Sequence, residues 1–270
     1  MCVIIAKIKG SDFAPIDIVK KCFTANPDGF SMAWNHNGEL KVFKTMDMNE
    51  ALDKYRALTH ELNAVETGMV IHARIKSHGS IKLENCHCWE HNGVAFAHNG
   101  ILRNIKNRDD MTDSETFFRD FFIPAWDGVS FEFALKLSRA VIGDSNNKFA
   151  LINANGEVFL TDGDAAYTRY TKLAFPGCRG KIYFSNTIWM PHNHYSSALG
   201  FNPYEGVKST KTDEKNKNAA SGKSVPDIGS LFVGPRKPVA PSRPLAVSRQ
   251  GGAGATTMQE LQEAYDNMHF

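Results

Sequence analysis

The sequence predicts an α+β fold, an antiparallel sheet-on-sheet sandwich with helices outside. Three observations lead there. Apolar stretches of strand length recur along residues 1–206, two pairs of them joined by Asn-Gly turns suited to hairpins. Between them lie segments whose apolar residues repeat at helical spacing. Strands, helices, strands, helices and strands follow in that order, and local hairpin pairing with helices covering the outer faces satisfies all of them.

The first strand is Met1-Cys2-Val3-Ile4-Ile5-Ala6, an apolar run with a cysteine directly after the initiator methionine. Removal of Met1 would leave a thiol and a free α-amine on one residue, with ordinary pKa values near ~8.5 and ~8. A nucleophile and its base would then be the same residue. Pro15 to Phe23 has proline at its entry and apolar residues at helical spacing, and Asn26-Pro27-Asp28-Gly29 ends it as a turn. Phe30 to Trp34 and Leu40 to Phe43 flank Asn37-Gly38 and predict the first hairpin. Met48, Leu52, Tyr55, Leu58 and Leu62 form a helical stripe over residues 48–64.

Met69-Val70-Ile71-His72-Ala73-Arg74 reads as a strand with Val70, His72 and Arg74 on one face. An arginine ending a buried strand requires an anion. Ser77-His78-Gly79 and Asn85-Cys86-His87-Cys88 form loops, and a second buried strand, Val94 to Ala97, stops at His98-Asn99-Gly100. The Asn99 amide beside the unhindered N–H of Gly100 supplies the parts of an oxyanion hole. Thr112 and Glu115 have capping-box spacing, which places Asp113 in the first turn of a helix. Singly, Arg74 is equally suited to an internal ion pair and Asp113 to the helix dipole; together they match the two charges of a zwitterion. Residues 131–141 predict a further helix, Lys148 to Leu160 a second Asn-Gly hairpin, and Lys181 to Asn186 a last strand.

The totals exclude several classes. A net charge of +2, without a basic stretch interleaved with aromatics, gives no nucleic-acid footprint. No apolar run approaches the ~20 residues of a membrane span, and the start has no secretory pattern, so the expectation is a cytoplasmic protein. Five cysteines in 270 residues predict reduced thiols rather than a disulfide framework. Cys86, His87, Cys88 and His91 lack the distant second pair that would close a tetrahedral metal site, so no metal or other cofactor is expected. Residues 207–255 are rich in Lys, Asn, Ser, Gly and Pro and predict a disordered linker. Within it, Ser221-Gly222-Lys223-Ser224 lacks the upstream glycine and the strand of a phosphate loop. Residues 256–270 predict a short amphipathic helix, with Thr257 and Glu260 at its start and Leu261, Tyr265 and Met268 on one face.

Met1-Cys2, Asn26-Pro27-Asp28-Gly29, His72-Ala73-Arg74, Ser77-His78-Gly79, Asn85-Cys86-His87, His98-Asn99-Gly100 and Thr112-Asp113-Ser114-Glu115 resemble, in order, the signature of class II glutamine amidotransferases. That resemblance implies a four-layer αββα sandwich of the N-terminal-nucleophile hydrolase type over residues 1–206. It implies that Cys2 attacks the side-chain amide of glutamine, that Asn99 and Gly100 hold the oxyanion, and that Arg74 and Asp113 take the α-carboxylate and α-ammonium. Ser77, His78 and His87 would shape the substrate site. The sequence departs from the family's usual pattern at Ser31, Ile75, Lys76 and Cys88. No synthetase or transferase domain follows residue 200, so the resemblance is to small stand-alone members of bacteria or their phages, with any ammonia acceptor on a separate partner protein. Hydrolysis of another γ-glutamyl amide, or a non-catalytic binding role on the same fold, are the alternative readings.

Overall fold

The structure is a computed structural model that describes residues 1–77, 79–108, 111–143, 146–162 and 169–190. By contact density the chain divides into Met1–Lys208 and Ser209–Phe270. The linker and terminal helix expected over residues 207–270 lie outside the described residues.

Six strands form one sheet: β1 (Val3–Lys7), β2 (Phe30–His36), β3 (Glu39–Thr45), β4 (Met69–Ala73), β9 (Thr171–Leu173) and β10 (Ile182–Phe184), in the order β3-β2-β4-β1-β10-β9. Four form the other: β5 (Trp89–His91), β6 (Val94–Asn99), β7 (Lys148–Asn153) and β8 (Val158–Asp162), in chain order. Every pairing is antiparallel. Asn37-Gly38 closes the expected β2–β3 hairpin, with His36 opposite Glu39.

Period-two alternation sorts the side chains into three layers. Val3, Ile5, Phe30, Met32, Ile71 and Ala73 pack beneath helices α1 (Ile16–Ala25) and α2 (Met48–Glu61). Phe96, Phe149 and Leu151 face the helical layer made by α3 (Asp113–Phe117), α4 (Ile123–Gly128) and α5 (Phe131–Ile142). Between the sheets lie Ile4, Ala33, Val70, Ala95, Ala97, Ala150 and Ile152. The four alanines let the two sheets approach closely, and the result is the αββα sandwich.

Three local features shape the helices. Asp47, ahead of α2, caps it by accepting from Asn49 N at 2.7 Å and Glu50 N at 3.3 Å. The capping box at α3 is half made: Thr112 Oγ1 accepts from Glu115 N at 3.2 Å, but the Glu115 carboxylate turns outward to Arg119 Nε at 2.7 Å. The helix that continues from Thr116 widens into a π-turn over Phe118–Phe122, which directs Phe117, Phe118 and Phe122 together onto Phe96.

Candidate active site

Cys2 stands at the mouth of the central pair of strands. Val3 pairs with Ala73 in the last register of β1 and β4, so Cys2 and Arg74 leave the sheet side by side. The Asn26–Gly29 turn grips this end: Asp28 N donates to Arg74 O and Arg74 N to Gly29 O, both at 2.9 Å, while Lys76 N donates to Asp28 Oδ2 at 2.7 Å. A side chain on Gly29 would come within 2.5 Å of Cys86 Sγ, which explains glycine there. In the other sheet Asn99 ends β6, and Gly100 turns the chain with φ +147°.

These ends meet in a narrow cleft of about 20 Å³ lined by Cys2, Arg74, Ile75, Ser77, His87, Gly100, Thr112, Asp113 and Ser114. Of the residues expected at a site, Cys2, Arg74, Ser77, His87, Gly100 and Asp113 therefore line one space. His78 lies outside the described residues. Asn99 is buried just behind the wall, its Nδ2 donating to Ser185 Oγ at 2.9 Å. An amide has two N–H groups, so one remains beyond that bond. A roomier concavity of about 470 Å³ among Asp17, Lys20, Lys21, Thr24, Ala25, Ile188 and Trp189 presents no cysteine and no histidine. The chemistry favours the narrower cleft.

Cys2 is half-buried, and its thiol donates to Ile75 O at 3.7 Å. Burial pushes the thiol pKa up; the positive chain terminus and Arg74 pull it down, and the Asp113 carboxylate opposes them. Arg74 and Asp113 are both buried and both act on the thiol, so opposite charges flank it. Asp113 Oδ2 accepts from Leu102 N at 2.6 Å.

His87 is a buried wall rather than a base. Its Nδ1 accepts the backbone N–H of His98 at 3.0 Å, which leaves the proton on Nε2, and its ring stacks on His72 at 3.8 Å. Burial holds its pKa well below the usual value. Two departures from the family pattern touch each other: the Ser31 hydroxyl donates to Cys88 Sγ at 3.5 Å. His91 faces Asp127 at 3.0 Å, and among the described residues no group of three or more His, Cys, Asp or Glu is arranged to hold a metal ion.

A family model described as class-II glutamine amidotransferases matches residues 11–168. The chain belongs to this family. It is a family of enzymes, associated with transfer or hydrolysis of the amide nitrogen of glutamine. Among solved structures, the chain is similar to a glutamine aminotransferase class-II domain protein from Silicibacter pomeroyi, with 16% identity, TM-score 0.41, and 68% of this chain and 88% of that one covered. It is also similar to the glutamine phosphoribosylpyrophosphate amidotransferase of B. subtilis, with 14% identity, TM-score 0.45, and 70% of this chain and 42% of that one covered. No curated protein sequence matches. Among the described residues, no helix of this amidotransferase is long and apolar enough to cross a membrane.

Three residues that hold the cleft of this amidotransferase were not legible as such. Ser185 accepts from Ile4 N at 2.8 Å, Asn186 Nδ2 donates to Cys2 O at 2.7 Å, and Asn147 packs against Gly100. Ser185-Asn186 at the end of an apolar strand was a signal of the same kind as His98-Asn99. Nothing in the sequence pairs it with a cysteine 183 positions earlier.

Proposed function

We propose that the protein is a glutamine amidohydrolase that uses Cys2, exposed by removal of Met1, to release ammonia through a γ-glutamyl thioester. The observation that carries this reading is the convergence of Cys2, Arg74, Gly100 and Asp113 on one cleft. The Cys2 amine takes the thiol proton, directly or through a water, and the sulfur attacks the amide carbon. The Gly100 N–H and the second N–H of Asn99 receive the oxyanion, each contributing about 3 kcal/mol. Collapse passes the proton to the departing nitrogen as ammonia leaves. Water then attacks the thioester and returns the thiol. Arg74 binds the α-carboxylate and Asp113 the α-ammonium; Ser77, His78 and His87 shape the rim. The ammonia passes to a separate synthetase or transferase in the cytoplasm of a bacterium or of a phage-infected cell. Residues 1–206 form the amidotransferase domain, 207–255 a linker, and 256–270 a docking helix.

Purified protein tests this directly. Ammonia is expected from glutamine in preference to a panel of other γ-glutamyl amides, from a species whose intact mass lacks Met1. A diazo-ketone analogue of glutamine is expected to label Cys2 among five cysteines. Burial disfavours the thiolates of Cys22, Cys88 and Cys86, raising Cys22 far, Cys88 to about 11 and Cys86 above its usual value, and of the five cysteines Cys2 is the one that lines the cleft. Activity in a species that retains Met1, or label at Cys86 or Cys88, overturns the reading.

A further inference from the structure

Behind Gly100 lies a buried hydrogen-bond chain that the proposed chemistry does not use. Asn147, the residue before β7, donates from Nδ2 to Ile101 O at 3.1 Å, which orients its amide. Its Oδ1 therefore faces His98 Nε2, at 2.8 Å. An amide oxygen only accepts, so His98 carries its proton on Nε2. The bare Nδ1 then accepts the hydroxyl proton of Ser114, at 2.7 Å. Ser114 is next to Asp113, whose Oδ1 is 3.4 Å from the same hydroxyl.

Asn147, His98 and Ser114 are each no more than 5% exposed. Burial keeps the His98 imidazole neutral against the pull of Asp113 and Asn147. Asn147 Oδ1 also stands 2.0 Å from where a Cβ on Gly100 would be, so the amide fills the space that glycine leaves. One side chain thus touches Gly100, grips Ile101 and, through two hydrogen bonds, reaches the neighbour of Asp113.

We propose that Asn147, acting through His98 and Ser114, is a positioning residue that holds the Gly100 backbone N–H and the Asp113 carboxylate at a fixed separation. The oxyanion side of the cleft and its amine-binding side are thereby coupled. This rests on the glutaminase reading for its kinetic consequence, and on the hydrogen-bond geometry alone for its structural one.

Two arms of the test do not need turnover. In the wild-type protein, ¹⁵N shifts of His98 are expected to show the Nε2–H tautomer throughout the neutral range; the Nδ1–H tautomer overturns the proposal. In Asn147→Ala, amide exchange at Gly100–Leu102 is expected to accelerate on the order of tenfold while the sheets keep their protection. Unchanged exchange overturns it.

The kinetic arm separates positioning from general stability. Asn147→Ala is expected to lower kcat on the order of tenfold with a smaller change in KM, and Ser114→Ala to raise KM more than it lowers kcat. Equal effects on both constants in both variants overturn the coupling. If Asn147→Ala does not fold, Asn147→Asp keeps the shape and places a carboxylate on His98. The titratable groups facing that ring are Asp113 and the neutral imidazoles of His87 and His72, so its titration is expected to move upward into the NMR-observable range. No movement overturns the contact. If wild-type protein releases no ammonia from glutamine, the glutaminase reading fails while the tautomer and exchange arms still decide the clamp.

Discussion

Asn99 donates to Ser185 at 2.9 Å, and the same hydroxyl oxygen accepts the backbone N–H of Ile4, two residues from Cys2. A single oxygen therefore ties the end of β6 to the start of β1, across the two sheets. Asn186 continues the tie by donating to the carbonyl of Cys2.

Ser185→Ala removes this acceptor from two buried donors. The expected cost is about 2–4 kcal/mol of stability, read from denaturant unfolding, because a buried N–H without a partner loses its full desolvation term. The kcat of the proposed glutamine hydrolysis is expected to fall further than stability explains, as the Asn99 amide is no longer held. An unfolding midpoint equal to wild type would contradict the shared-acceptor account.

Gly100→Ala and Gly38→Ala separate conformational strain from steric conflict. Both positions have positive φ, but a Cβ at Gly38 meets nothing within 4 Å, whereas one at Gly100 meets Asn147. Gly38→Ala is expected to cost about 1 kcal/mol, and Gly100→Ala about 3 kcal/mol together with activity. Similar midpoints for the two variants would show that the Asn147 contact gives way freely.

Stability is expected to fall as the solution is acidified below about pH 6.5. His72, His87 and His98 are buried and held neutral, with His72 lowered to about 3. In the unfolded chain these rings take up protons near ~6.5, so between that pH and the folded pKa the unfolded state binds more protons. Each histidine then costs up to about 1.4 kcal/mol per pH unit. The loss begins below the unfolded pKa and levels off once the folded pKa is passed. The His72 ring makes no well-formed hydrogen bond through either nitrogen, only a loose contact with the His98 backbone, so His72→Leu forfeits little. Its Tm is expected to depend on pH less steeply than that of the wild type between pH 6.5 and 4. Parallel wild-type and variant profiles would remove His72 from the account.

Truncation after Gly206 is expected to leave folding and the proposed glutamine hydrolysis nearly unchanged, since the cleft is lined by residues between Cys2 and Ser114 and braced by Ser185 and Asn186. Capture of the proposed partner protein is expected to weaken, as it is in Leu261→Asp with Tyr265→Asp. A linker of about fifty residues spans roughly 35–42 Å as a flexible coil, enough to raise a second protein's local concentration. Unfolding of either variant, followed by circular dichroism, would place the terminal helix in the domain's own packing.

The layers were legible because they follow from periodicity. Alternation along Met69–Arg74 assigned Val70 and His72 to one face and Ile71 and Ala73 to the other, and the inter-sheet and helix-facing cores divide in that way. Asn37-Gly38 fixed the first hairpin because two-residue turn geometry is local, and Asn155-Gly156 marked the second, which closes through the three residues Ala154-Asn155-Gly156. The short strands β5 and β9 were not legible, since three residues carry too little pattern and are extended only because β6 and β10 offer a ladder.

The sequence by itself determined which residue types were available for a site: a cysteine at position 2, a strand-end arginine, an Asn-Gly after a buried strand, and an aspartate in a helix's first turn. Each is set by neighbours within a few positions. Only the tertiary structure decided that Ser185 and Asn186 hold Cys2 and Asn99 in place, that Asn147 fills the space beside Gly100, and that His87 is fixed as a neutral wall. Those bonds join residues up to 184 positions apart, and a hydrogen bond of that reach depends on how two sheets stack rather than on any local preference.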